Sequence, residues 1–155
     1  MDYETDCQCA CGKTQFRLHG SPLIRAYCHC TICQQFSGAA FADISVFRPR
    51  DVEMPPAGQV EFRTYRPPPA VQRGNCVDCG KPALEMMNIV ALPKMILVPT
   101  NNIAERGSLP EASLHVFYNS RVADADDDLP KYSGYWRSQF VFCRKLIAAM
   151  VRSNR

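Results

Sequence analysis

Apolar positions in this chain come in short runs broken by turn residues, which predicts strands joined by loops. Six stretches read as strands: Thr14 to Leu18, Ala40 to Phe47, Val60 to Tyr65, Ala83 to Leu92, Met95 to Val98 and Ser113 to Phe117. Several alternate apolar with polar or are rich in β-branched and aromatic residues, as in Phe41-Ala42-Asp43-Ile44-Ser45-Val46, a pattern that suits a half-buried sheet. Pro55-Pro56 and Pro67-Pro68-Pro69 punctuate loops. Two segments read as helix. Cys30 to Phe36 runs without proline or glycine until Gly38. Near the end, Trp136, Phe140, Cys143, Ile147 and Met150 recur at spacings of three and four, which defines one apolar helical face. That face would dock on the sheet or on a second subunit, with Cys143 in the core; a basic helix lying on a membrane is the alternative. The expected fold is mainly β, a single domain of two or more small antiparallel sheets with a short helix after Cys28-His29-Cys30 and a helix at the C-terminus.

A chain of 155 residues is one ordinary domain. With no apolar run of about 18 residues and an acidic start, Met1 to Asp6, the expected setting is cytoplasmic, without a membrane partner. There thiols stay reduced, so the nine cysteines read as metal ligands before disulfides. Net charge is +3, but Arg137, Arg144, Lys145, Arg152 and Arg155 follow Gly134 with no acid among them, leaving residues 1–134 at −2. A body of that charge argues against nucleic acid, whose phosphates demand a basic face.

The cysteines fall into clusters. Cys9 and Cys11 are two apart, so extended backbone turns both thiols to one side. Cys76 and Cys79 flank a tight turn followed by Gly80. Together they make a Cys₄ zinc site, closed and therefore structural, with Zn–S distances of about 2.3 Å. Cys28, Cys30 and Cys33 combine both spacings within six residues; three ligands leave one position open, the arrangement of catalytic zinc. Cys7 extends the Cys9/Cys11 alternation and could replace either of them or close the middle cluster. His29 lies between two ligands, where extended backbone turns it away from the metal.

These residues resemble the glutathione-dependent formaldehyde-activating enzyme family, which includes the centromere protein V type domains. The resemblance rests on Cys9-x-Cys11-Gly12, Tyr27-Cys28-His29-Cys30-x-x-Cys33 followed by Ser37-Gly38-Ala39-Ala40-Phe41, and Arg73-x-x-Cys76-x-x-Cys79-Gly80. It continues more weakly through Leu114-His115-Val116-Phe117 and Asp128-Leu129-Pro130-Lys131-Tyr132. It implies a β-tent domain over residues 7–133 with a basic helical extension over 134–155. It also implies two Zn²⁺ per chain, a structural one on Cys9, Cys11, Cys76 and Cys79 and a labile one on Cys28, Cys30 and Cys33. The implied activity is a carbon–sulfur lyase reaction, joining formaldehyde reversibly to glutathione as S-hydroxymethylglutathione, with the middle cysteines catalytic. Arg73 is the candidate substrate-binding cation beside that cluster, against the plainer reading of a surface or packing arginine. Two departures stand out: no tryptophan precedes the Asp128-Leu129-Pro130 stretch, where Val122 to Asp127 reads as a solvated acidic loop, and Val98-Pro99-Thr100-Asn101-Asn102 replaces an acidic turn. The other reading is a non-catalytic zinc-stabilised binding module acting through a protein partner. A homo-oligomer fits either.

Overall fold

A computed structural model describes residues 3–67 and 70–154. Pro68, Pro69 and Arg155 of the features above lie outside the described residues. Among those described, the strands are β1 (Glu4–Gln8), β2 (Gln15–His19), β3 (Ile24–Cys28), β4 (Ala42–Phe47), β5 (Val52–Glu53), β6 (Val60–Thr64), β7 (Val71–Cys76), β8 (Pro82–Met87), β9 (Met95–Pro99) and β10 (His115–Val116). The α-helices are α1 (Thr31–Ser37) and α2 (Tyr135–Ser153). The fold is mainly β, with two sheets. One is three-stranded, β1-β2-β5; the other is seven-stranded, β10-β3-β4-β9-β8-β7-β6. The second is larger than expected, and it is not wholly antiparallel: β10 runs parallel to β3, pairing His115 with Tyr27 and Val116 with Cys28.

Side-chain alternation sets the layers. On β9, Met95 and Leu97 face one core cluster while Ile96 and Val98 face another, as the period-2 geometry of a strand requires. The first cluster joins Ile24, Ala26, Ile44 and Val46 to Val141, Phe142, Leu146 and Ala149 of α2. The second joins Ile96, Val98 and Phe47 to Cys7, Phe16 and Leu18 of the small sheet. The large sheet is therefore buried on both faces at its centre, between α2 and the three-stranded sheet, so that β4 is buried at Ser45 as well as at Ala42, Ile44, Val46 and Phe47.

Both expected helices form, but α2 turns the other way. Its buried residues are Ser138, Val141, Phe142, Leu146 and Ala149, whereas Trp136, Phe140 and Ile147 of the expected face are exposed. Cys143 is only partly buried rather than core. The reason is local. Ser138 Oγ accepts from the backbone N–H of Phe117 at 2.8 Å, and Phe117 sits at φ 55, an unfavourable region for a bulky residue. That bond fixes which side of the helix meets the sheet. No helix is long and apolar enough to cross a membrane among the described residues.

One glycine decides the course of β7. A Cβ on Gly74 would lie 2.6 Å from the Leu84 carbonyl oxygen and 2.6 Å from Val60 Cγ1, so only a residue without one lets β7 pass between β6 and β8. The pairing of β7 with β8 shifts register between Gly74 and Asn75. That bulge separates Arg73 from Cys76, which serve different sites.

Candidate metal centres and active site

Cys9 and Cys11 lie just beyond β1, Cys76 ends β7, and Cys79 lies in the turn before β8. Their four sulfurs gather within 4.8 Å of one another, with Cys9 and Cys11 3.4 Å apart and Cys11 and Cys76 3.8 Å apart. Tetrahedral zinc with Zn–S bonds of about 2.3 Å would space its sulfurs by about 3.8 Å, so the group fits such an ion. Backbone geometry supports it. Gly80, at φ 69, closes the Cys76 turn by donating to the Cys76 carbonyl at 2.8 Å, a conformation that a Cβ would strain. Thr14 N–H donates to Cys9 Sγ at 3.4 Å. Burial opposes charge on Cys76, but donation from the Thr14 hydroxyl and from the Cys79 and Asp78 N–H groups outweighs it and brings the thiol down to about 6.

Cys28, Cys30 and Cys33 form a second group whose sulfurs also lie within 4.8 Å of one another, and no fourth His, Cys, Asp or Glu joins it among the described residues. Cys28 ends β3 and Cys33 lies in α1. Cys30 is the N-cap of α1, where its sulfur accepts from Cys33 N–H at 3.2 Å. A capping sulfur at a helix N-terminus is held as an anion. Hydrogen bonds from Cys28 and then Cys33 lead the fall of the Cys30 thiol to about 3, with Arg73 adding to it. Cys28 is correspondingly pushed up by the bond it shares with Cys30. A trio of soft donors that includes a readily ionised thiol is the chemistry a zinc site needs.

All three cysteines line a cavity of about 390 Å³. Its apolar walls include Ile44, Met87, Leu97, Val116 and Phe142, and Tyr65, Asn119, Ser120 and Gln139 also line it. Arg73 lies on it too. The guanidinium is buried, pairs with Glu85, sits 3.8 Å from Cys33 Sγ, and is stacked at 5.6 Å on Phe36 and 5.9 Å on Tyr65. Burial works against its charge; Glu85 and then the cysteines outweigh that and raise its pKa. Burial pushes the Glu85 carboxyl up to about 7, against the pull of Arg73. Arg73 is buried beside the middle cluster and is no surface residue.

Sequence reasoning did not find Glu85, nor the use made of His115. His29 Nε2 lies 2.8 Å from His115 Nδ1, and His115 Nε2 lies 2.9 Å from Asp127 Oδ2. Asp127 as a carboxylate can only accept, so His115 donates to it from Nε2, and His115 Nδ1 shares a hydrogen bond with His29 Nε2. His29 Nδ1 is buried without a hydrogen-bond partner among the described residues. Hydrogen bonds from Lys131 first and His115 next hold Asp127 down to about 2, while burial lowers His29 to about 4. His29 stands outside both sulfur groups, as its place between two ligands led one to expect. The acidic loop is not wholly solvated, since Asp127 ties the Cys28-His29-Cys30 segment to Lys131. Cys7 is buried in the second core cluster and joins neither group.

A family model described as "Glutathione-dependent formaldehyde-activating enzyme" matches residues 4–120, well over half of the chain. No curated protein matches. Among solved structures, a Rhodobacter sphaeroides protein determined as a structural genomics target superposes with a TM-score of 0.53 at 14% identity, covering 83% of this chain and 99% of its own. At that identity the likeness is one of fold.

Proposed function

The chain belongs to the glutathione-dependent formaldehyde-activating enzyme family, and from that premise we propose that it makes and breaks a carbon–sulfur bond between a small thiol and an aldehyde at Cys28, Cys30 and Cys33. The substrate is an adduct of the S-hydroxymethylglutathione kind, and the reaction class is carbon–sulfur lyase. The observation that carries the reading is that these three thiols line a cavity and gather no fourth protein ligand among the described residues. In this reading Cys9, Cys11, Cys76 and Cys79 hold a structural zinc, and Cys28, Cys30 and Cys33 hold a labile second one. Residues 7–133 form the zinc-binding unit, and the extension 134–155 supplies one wall of the cavity.

Zinc on the middle group supplies one thing, the stabilisation of a substrate thiol as thiolate at neutral pH. The chain's own residues do the rest. The apolar walls exclude water, which strengthens every charge interaction inside. A substrate thiolate beside three cysteinates concentrates negative charge, and Arg73 is the buried cation that offsets it. As the thiolate sulfur adds to the carbonyl carbon, the C=O π pair moves onto oxygen, and Arg73 is the candidate donor to that alkoxide. Glu85 keeps the guanidinium in place. Thiols kept reduced for this chemistry accord with a cytoplasmic location.

Two-dimensional exchange NMR on glutathione and formaldehyde, with and without the protein, tests the reading. Faster interconversion of free glutathione and its hydroxymethyl adduct is expected, and mild chelation should abolish it while removing one of two zincs. An unchanged exchange rate with both zincs present would sink the glutathione reading.

A further inference from the structure

Helix α2 leaves an apolar stripe in solvent. Trp136 is 82% exposed and Phe140 67%, and Ile147 and Val151 are exposed on the same side. At 100° per residue these four fall within a sector of roughly 60°, opposite the buried Phe142 and Ala149. A contiguous exposed apolar stripe on a folded helix marks an interaction surface. Arg137 and Arg144 run along one flank of it. Neither makes an ion pair among the described residues, and no acid lies between Tyr135 and Asn154.

The complementary surface lies just upstream. Asp126 and Asp128 are exposed and unpaired among the described residues, and Val122 beside them is 67% exposed. Residues 129–134, which bridge to β10 at Lys131, join this loop to α2, and Gly134 N–H donates to Asn119 Oδ1 at 2.7 Å. The chain thus carries an exposed apolar-basic stripe on α2 and an exposed acidic stretch on the loop before it. Two surfaces of opposite charge on one chain can each meet the other on a second copy about a two-fold axis.

We propose that this face, residues 122–151, pairs with the same face of a second copy, the basic stripe of each α2 lying against the acidic 122–128 loop of the other. Two α2 helices alone would not suffice. A helix of this length is about 28 Å long, and its face falls well short of the roughly 800 Å² per partner of a stable interface. Helix against helix would also bring only cations together. The loop adds both area and opposite charge. Since Tyr135, Gln139, Asn119 and Ser120 line the cavity, the second copy would border its mouth. The proposal stands whether or not the lyase reading does.

Charge reversal tests it. Sedimentation velocity of the full chain should show a dimer at low salt that dissociates as screening rises. Arg137→Asp with Arg144→Asp should give a monomer, as should Asp126→Arg with Asp128→Arg. All four sites are exposed, so the fold is retained. An equimolar mixture of the two reversed proteins should dimerise again, each supplying the charge the other lost. Trp136→Ala should weaken dimerisation roughly tenfold or more, as loss of a central aromatic anchor does. Trp136 is the only tryptophan, so its emission should shift to the blue as the dimer forms. A wild-type protein that stays monomeric at low salt overturns the proposal, and so do reversed proteins that remain dimeric alone. Binding of the monomer to phosphatidylglycerol vesicles with burial of Trp136 would assign the stripe to a membrane surface and overturn it as well.

Discussion

The two sulfur groups place one residue type in opposite settings. Cys9 and Cys11 meet Cys76 and Cys79 across 65 residues of chain, so an ion bridging them closes a long loop and ties the small sheet to the large one. That group sits near the surface, with Cys11 exposed, and none of its members lines the cavity beside Arg73. Cys28, Cys30 and Cys33 come from one strand end and one helix cap, close no long loop, and face the cavity. In the proposed reading, cross-linking distant segments supplies stability, whereas a local trio placed by elements that already fold supplies a reactive position. The comparison is therefore breakable: damage to the first group should cost the fold, and damage to the second should cost only chemistry.

The largest effect is expected from Cys76→Ser. Structural zinc contributes apparent binding free energy of about 10 kcal/mol or more, comparable to the entire stability of a domain, about 5–15 kcal/mol. The variant should lose cooperative thermal unfolding by circular dichroism. A folded Cys76→Ser protein would erase the distinction between the groups. Next comes Cys30→Ser, which should unfold cooperatively, carry one zinc instead of two, and leave the exchange of glutathione with formaldehyde at its uncatalysed rate. Metal analysis with exchange NMR decides it, and an unfolded product would show that the second group also holds the fold.

The gathering of the sulfurs into these two groups was readable in the cysteine spacing, because a thiol two or three residues from another has few geometries open to it. Most strands were readable too, where β-branched and apolar residues alternate. The missed strands show what spacing cannot see. In β1 the buried positions are Thr5 and Cys7, neither of which signals a core. In β3 they are Ile24, Ala26 and Cys28, a correct alternation weakened by a small residue. In β7, Val71-Gln72-Arg73-Gly74-Asn75-Cys76 buries an arginine and a glycine, legible only once Glu85 and the Leu84 carbonyl are in view. Helix α2 carries two apolar stripes, and periodicity picked the one with the larger side chains. The fold buried the other, because Ser138 and Ala149 let the helix come close and Phe117 N–H needed the Ser138 oxygen.

Two ion pairs sharpen the contrast between the groups, one beside each. Arg73 and Glu85 are 10% and 2% exposed. Arg73→Ala leaves Glu85 buried without its partner, which should destabilise the protein by about 3–5 kcal/mol in denaturant titration, as well as slowing catalysis. Replacing both by Met and Leu should recover most of that stability but none of the activity, since a well-packed apolar pair substitutes for the fold and not for a cation. Equal stability losses in the single and double variants would mean that the pair contributes by packing rather than by compensating charge.

The smallest effect is expected at the other pair. Lys13 Nζ lies 3.4 Å from Asp78 Oδ1, with side chains 69% and 44% exposed, so it spans the same two segments that the Cys₄ group joins. If surface charge helped to hold those segments, Lys13→Met would loosen the closed site. Water screens the pair, however, and ordering two exposed side chains takes back what attraction remains, so the expected loss is at most about 0.5 kcal/mol. Zinc retention against a competing chelator should match the unaltered chain, and added salt should not change either protein's midpoint differently. A clear loss of zinc in Lys13→Met would mean that the sulfurs do not by themselves hold the two segments together, and the closed group would then depend on its surroundings as the open one does on Arg73.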